Sequence, residues 1–103
     1  MTNIHALIER KTNELKDEII SFVQQLVQTP SLANEEGTVQ KLIFDKLQNL
    51  DLQSDTIPVK FDDIKDHPAF NDDGFSPDSR INVIGQWNSN KKGKSLILNG
   101  HVD

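Results

Sequence analysis

The sequence predicts an α/β fold in which two amphipathic helices pack on a mixed sheet of at least three strands. The first half of the chain contains two segments whose apolar residues recur every three or four positions, as on one face of a helix. The second half contains short alternating or apolar segments separated by polar turns, as in strands. Two helices in succession need a common apolar surface to cover, and a sheet provides one.

Composition limits the class of protein. The chain has 103 residues, which suits one small domain, with a net charge of −5 and no cysteine. The acidic balance gives no reason to expect nucleic acid or an anionic membrane as a partner. Without cysteine, only His, Asp and Glu are available as metal ligands. The sequence shows neither the apolar region of a signal peptide nor a membrane-spanning run, so we expect a cytoplasmic protein.

The first predicted helix carries its apolar side chains in one stripe and charged side chains on the opposite face. Pro30 should end this helix, because the residue before a proline is pushed out of the α region. The stripe consists of Ile4, Ile8, Leu15, Ile19, Phe22, Val23 and Leu26.

The second predicted helix begins at Asn34, whose side chain can accept hydrogen bonds from the free N–H groups of the first turn. Glu35 and Glu36 follow in that turn, where the helix dipole favours carboxylates. The apolar stripe consists of Val39, Leu42, Ile43, Leu47 and Leu50.

Three later segments are predicted as strands. Residues 52–59 form a short strand, and Pro58 places it at an edge because proline cannot donate to a neighbouring strand. Residues 81–87 alternate and residues 95–99 are apolar, so the polar turn 88–93 between them predicts an antiparallel hairpin. Residues 61–80 are rich in Asp, Pro and Gly and are predicted to form a long irregular loop, a feature that is often functional.

The histidine and aspartate after the third predicted strand form the candidate site. In extended backbone, side chains two residues apart project to the same side, so His101 and Asp103 should face one pocket. A metal-binding histidine usually donates its second ring N–H to a carboxylate or carbonyl, and Asp103 is placed to accept it. The competing interpretation is an ordinary strand-end histidine with an aspartate that caps the next helix. The apolar Leu-Ile-Leu-Asn-Gly directly before His101 favours the metal site.

The segment Ser95-Leu-Ile-Leu-Asn-Gly-His-Val-Asp103 resembles the first metal-ligand segment of a family of zinc amidohydrolases and peptidases. This family includes acetylornithine deacetylase, succinyl-diaminopimelate desuccinylase, aminoacylases and carboxypeptidase-like dipeptidases. Other stretches are similar in order and spacing, although only the last segment is chemically specific. They are Leu26-Val-Gln-Thr-Pro-Ser-Leu32, Asn34-Glu-Glu-Gly37, Asp66-His-Pro-Ala-Phe70 and Arg80-Ile-Asn-Val-Ile-Gly85, of which the third looks most like the deacetylase and desuccinylase branch.

The resemblance implies a role for each residue of the candidate site. His101 would be a ligand of one zinc ion, and Asp103 would be a catalytic aspartate that orients His101 without binding metal. A complete site would hold two zinc ions, with cobalt or manganese as substitutes, and would hydrolyse an amide bond in an N-acyl amino acid. One histidine falls short of the three or four protein ligands that a zinc site needs, so we expect the chain to be inactive alone.

The resemblance also implies a larger protein. Residues 1–103 would be the N-terminal part of a zinc-peptidase-like catalytic domain, and the rest of that domain and any lid or dimerisation domain would lie outside them. The complete protein would be a homodimer. Asp51 stands where the family often has glycine after the second helix, and aspartate tolerates the left-handed conformation that this turn requires.

Two other functions remain open from the sequence. A dipeptidase of the same family would contain the same segment, and a small non-catalytic α/β binding module would keep the fold without the site. The apolar residues 96–98 suit a strand covered on both faces, so the isolated chain should aggregate or be stabilised by a partner segment.

Several further residues are expected to have ordinary roles. The acidic loop could offer oxygen ligands to calcium, but its spacing does not match an EF-hand, so solvated turns are favoured. His5 is expected on the surface, His67 in a loop, and Trp87 in a strand that packs over the sheet. The acidic residues of the loop are Asp62, Asp63, Asp66, Asp72, Asp73 and Asp78.

Overall fold

The computed structural model describes residues 3–72, 74, 76 and 80–103, which form three helices and a two-stranded antiparallel sheet. The mixed α/β class predicted from the sequence is therefore confirmed at this coarse level. The elements in chain order are α1 (Ile4–Gln28), α2 (Gly37–Asn49), β1 (Gln53–Pro58), α3 (Phe61–Ile64) and β2 (Ile81–Gln86).

The helix α1 begins and ends where its sequence signals place it. The Asn3 side-chain oxygen accepts hydrogen bonds from the backbone N–H groups of His5 at 3.1 Å and Ala6 at 3.3 Å, which satisfies two free donors of the first turn. At the other end, Thr29 has extended backbone with φ −89° and ψ 119°, as expected for the residue before Pro30. The predicted helix and its end are confirmed.

The predicted start of α2 at Asn34 is wrong. Asn34 has a left-handed backbone with φ 72°, and the N–H of Glu35 donates to the carbonyl of Leu32 at 2.8 Å, so this stretch is a turn. The helix begins at Gly37, with Glu36 in the capping position. Asparagine adopts the left-handed conformation more readily than most residues, and here it serves the turn instead of the cap.

The end of α2 contains the turn predicted at Asp51. This residue has φ 59°, and its N–H donates to the carbonyl of Gln48 at 3.0 Å. The N–H of Leu52 donates to the carbonyl of Leu47 at 3.1 Å. The two hydrogen bonds form a Schellman motif, in which the left-handed residue is usually glycine. Aspartate fills this position and directs the chain from α2 into β1.

The folded centre consists of α2 packed on one face of the β1–β2 ladder. The two strands pair antiparallel, with Pro58 opposite Ile81. Val39 of α2 is the most buried apolar side chain of the described residues, at 1% exposure. A Cβ atom on Gly85 would lie 3.0 Å from a methyl carbon of Leu47, so glycine permits this close approach of α2 to β2.

The prediction that both long helices pack on the sheet is correct only for α2. No described side chain of α1 is buried, and α1 meets the rest of the fold near its C-terminal half. There the Nζ atom of Lys46 lies 2.9 Å from Glu18 Oε1 and 5.1 Å from the centre of the Phe22 ring. Two strands about 4.8 Å apart offer a face roughly one helix wide, so α2 alone occupies it.

The predicted third strand does not form in this structure. Residues 94–103 have no strand pairing, and β2 pairs with β1 instead of forming a hairpin with residues 95–99. An extended apolar segment becomes a strand only when a neighbour meets its N–H and C=O groups, and no described segment does so here. The side chains at 96–98 are therefore 82–88% exposed. Trp87, expected to pack over the sheet, lies one residue beyond β2 and is also exposed.

The predicted irregular loop is partly ordered into helix and turns. It opens with α3, and the N–H of Phe70 donates to the carbonyl of His67 at 2.9 Å in a following turn. The rings of Phe61 and Phe70 meet edge to face, with centroids 5.2 Å apart and an angle of 88° between their planes. The aromatic contact joins the start of α3 to the turn that follows it. The Asp, Pro and Gly content of the segment did not predict this contact.

Candidate functional site

The side chains of His101 and Asp103 contact each other in the segment at residues 94–103, which belongs to no helix or strand. The Nδ1 atom of His101 lies 3.2 Å from Oδ1 of Asp103. In the tautomer that carries its proton on Nδ1, His101 donates a hydrogen bond to this carboxylate oxygen. The His101 side chain is 86% exposed, which leaves its Nε2 atom accessible. The contact depends only on local backbone geometry, because the residues are two positions apart.

This arrangement sets the chemistry that His101 can offer. A neutral histidine with its proton on Nδ1 presents a lone pair on Nε2. Carboxylate–histidine pairs in metal sites use this division, since the carboxylate fixes the tautomer and the orientation of the ring. The pair is therefore suited to present one nitrogen ligand to a metal ion.

The described residues do not fit a complete zinc site. Among them, no group of three or more His, Asp or Glu side chains is placed to hold a metal ion. A zinc site needs three or four protein ligands, and His101 supplies one. Among the described residues, the His101–Asp103 pair therefore falls short of the ligand number that a zinc site requires.

The expectation that His101 and Asp103 face one pocket is not met within the described part of the chain. Both side chains lie on an exposed segment, at 86% and 50% exposure. A concave surface does occur at the end of the β1–β2 ladder beside α3, lined by residues that include Pro58 and Phe61. It has no contribution from His101 or Asp103, because the segment that holds them is not paired with the sheet.

The other two histidines have local roles, as expected. His5 lies exposed in the first turn of α1, where its backbone N–H donates to the Asn3 cap. His67 is exposed in the turn after α3, and its Nδ1 atom accepts the N–H of Ala69 at 3.1 Å. Neither is joined to His101 in a group of metal ligands within the described residues.

The described acidic residues of the loop support turns, as the sequence favoured. Asp62 lies in the first turn of α3 and forms an ion pair with Lys65 at 3.0 Å. The Oδ1 atom of Asp72 accepts the N–H of Gly74 at 2.9 Å. Asp73 and Asp78 lie outside the described residues. The contacts of Asp62 and Asp72 are those of helix starts and turns, so they offer no support for a calcium site.

Sequence reasoning missed the ion pair between the buried Glu36 and the half-buried Arg80. The Nε atom of Arg80 lies 3.5 Å from Oε1 of Glu36, and the two side chains are only 23% and 12% exposed. The second oxygen of Glu36 is buried without a hydrogen-bond partner among the described residues. The pair joins the start of α2 to the residue before β2. No spacing pattern connects residues so distant in the sequence.

Comparisons with known proteins leave the family open, since no protein-family model, no curated protein and no solved structure matches the chain. None of the helices that the structure describes has both the length and the apolar character needed to cross a membrane.

Proposed function

We propose that this chain supplies the first metal-ligand segment of a dinuclear zinc amidohydrolase that acts on an N-acyl amino acid or a related small amide. The observation that carries the proposal is the 3.2 Å contact between His101 Nδ1 and Asp103 Oδ1 in a segment that resembles the family's ligand segment. In this proposal His101 is a zinc ligand through Nε2, and Asp103 is the carboxylate that orients it.

The proposal assigns residues 1–103 to the N-terminal part of a cytoplasmic catalytic domain of a homodimeric deacetylase or desuccinylase. Residues 95–99 then become a strand that pairs only in the complete sheet, which would hold three or more strands. The support for this assignment is the apolar character of residues 96–98, which is typical of strands covered on both faces.

A small non-catalytic α/β module is the competing proposal. It is favoured by the lack of a group of three metal ligands among the described residues. A dipeptidase of the same family would share the His101 segment, so this segment does not separate it from a deacetylase.

The reading frame beyond Asp103 tests the enzyme against the binding module. We expect it to encode a further aspartate ligand and two adjacent glutamates within about 100–150 residues, roughly one domain length, because the remaining ligands must come from the same fold. The measurement is the sequence of the transcript across this position. A stop codon directly after Asp103 would overturn the enzyme proposal for this polypeptide.

Zinc affinity tests the role of Asp103. In the longer polypeptide, Asp103→Asn is expected to weaken zinc binding about 10- to 100-fold, because it removes the charge that orients His101. His67→Ala is the matched control, since the described contact of the His67 ring lies within its own turn, and the variant should leave zinc binding unchanged. The measurement is zinc content after dialysis against a graded chelator. In the same dialysis the 103-residue chain should retain no stoichiometric zinc.

Two outcomes would contradict this prediction. One zinc ion retained by each 103-residue chain would mean that ligands other than His101 complete a site within it. Equal zinc affinity in the Asp103→Asn and His67→Ala variants would remove the orienting role of Asp103.

A further inference from the structure

The helix α1 presents an apolar stripe that the described part of the chain leaves largely uncovered. Over most of its length, α1 stands free of α2 and of the sheet. The stripe residues Ile4, Ile8, Leu15, Ile19 and Val23 are each between 48% and 63% exposed. An apolar stripe that runs along a whole helix is typical of a face that packs against another helix or a sheet.

Charged residues border this stripe on both sides in a regular pattern. A spacing of seven residues returns to nearly the same side of a helix. Lys11 and Glu18 therefore lie on one border, and Glu9 and Lys16 lie on the other. Each border carries one positive and one negative charge, in opposite order along the helix. Neither Glu9 nor Lys16 forms an ion pair with any described residue.

We propose that the stripe of α1 pairs antiparallel with the same stripe of a second copy of the chain. In an antiparallel pair each border meets the same border of the second helix, in reversed order. With Ile8 opposite Ile19 of the second copy, Glu9 lies beside Lys16 of the second copy and Lys11 lies beside Glu18. The two Glu9–Lys16 contacts between the copies then join charges that have no ion-pair partner among the described residues, whereas Lys11 and Glu18 already pair with Glu14 and Lys46 of their own chain. The aliphatic stripes cover each other.

A parallel pair would place the charges unfavourably. In that arrangement opposite borders meet, and Lys11 of one helix faces Lys16 of the other, as the e and g positions of parallel helices do. The charge pattern therefore selects the antiparallel arrangement. In the 103-residue chain, α2 covers a face of the two-stranded sheet, so the stripe of α1 is left for a second copy. The pairing does not depend on the proposed enzyme function.

Sedimentation equilibrium of charge-reversal variants tests the pairing. The wild-type chain should rise in mass with concentration from 11.6 kDa toward twice that value. Lys16→Glu should weaken association about tenfold, because two attractive pairs become repulsive at a partly exposed border. The double variant Glu9→Lys with Lys16→Glu should restore wild-type association. Lys91→Glu is the matched control, since it makes the same charge change in an exposed loop.

Each alternative gives a distinct result. A wild-type chain that stays monomeric at all concentrations overturns the proposal. Stronger association of the Lys16→Glu variant indicates a parallel pair and also overturns it. Equal weakening by Lys16→Glu and Lys91→Glu, without restoration in the double variant, indicates association through another surface. Circular dichroism of each variant checks that the helix content is unchanged.

Discussion

Replacing Glu36 with alanine is expected to lower the free energy of unfolding by about 2–3 kcal/mol. The substitution removes the carboxylate that lies 3.5 Å from Arg80 Nε, and with it one ionic contact of a guanidinium whose side chain is only 23% exposed. Loss of one partner from a fully buried ion pair costs about 3–5 kcal/mol, and partial exposure of Arg80 places the expected cost below that range. The measurement is urea unfolding followed by circular dichroism at 222 nm, a standard helix signal.

The ion pair between Lys41 and Asp45 provides the matched control. Its atoms are closer, at 2.9 Å, but the side chains are 75% and 50% exposed. Water and side-chain entropy offset most of the attraction in such a pair, so Asp45→Ala should cost no more than about 0.5 kcal/mol. Burial, not distance, is expected to decide which carboxylate matters.

A double replacement separates the pair from the space it fills. The variant Glu36→Met with Arg80→Met should be more stable than Glu36→Ala, because no charge is left buried and the apolar side chains can pack against α2 and β2. The second oxygen of Glu36 is buried without a hydrogen-bond partner among the described residues, which supports this expectation. Equal losses in Glu36→Ala and Asp45→Ala would contradict the assigned importance of the buried pair.

Features that depend on local sequence could be predicted, and those that depend on distant contacts could not. The Pro30 end of α1 and the left-handed turn at Asp51 follow from the conformational limits of single residues, and the structure contains both. Asn34 was misassigned because the same side chain suits a helix cap and a left-handed turn, and only the surrounding turn decides between them. The Glu36–Arg80 pair depends on how α2 approaches β2, which no local pattern specifies.

The candidate site shows the same division. The spacing of two residues predicts that His101 and Asp103 project to the same side, and the structure places their side chains in contact. The pocket around them and the third strand could not be derived, because both require partners for residues 95–99 that local sequence does not name. A run of apolar residues indicates that the segment is covered in the complete fold, but it does not identify the surface that covers it.

The apolar segment 96–98 should dominate the binding of hydrophobic dyes to the isolated chain. Its three side chains are 82–88% exposed and adjacent, so they form a continuous apolar patch. Joint replacement of Leu96, Ile97 and Leu98 with serine is expected to reduce dye fluorescence several-fold and to raise the concentration at which the chain aggregates. The midpoint of urea unfolding should not change, because these side chains pack against no described part of the fold.

Two controls connect this result to the patch itself. Val27→Ser removes one apolar side chain that is 81% exposed, and it should reduce dye binding much less than the triple replacement because only one side chain is lost. The Lys16→Glu background weakens the proposed pairing of α1, so aggregation that is equally strong in this background and in the wild-type chain comes from another surface. If dye binding persists after the triple replacement, the dye binds mainly to the exposed apolar residues of α1 or to Trp87 instead of residues 96–98. A lower urea midpoint would instead mean that residues 96–98 already pack within the fold, and their role as an uncovered strand would then be wrong.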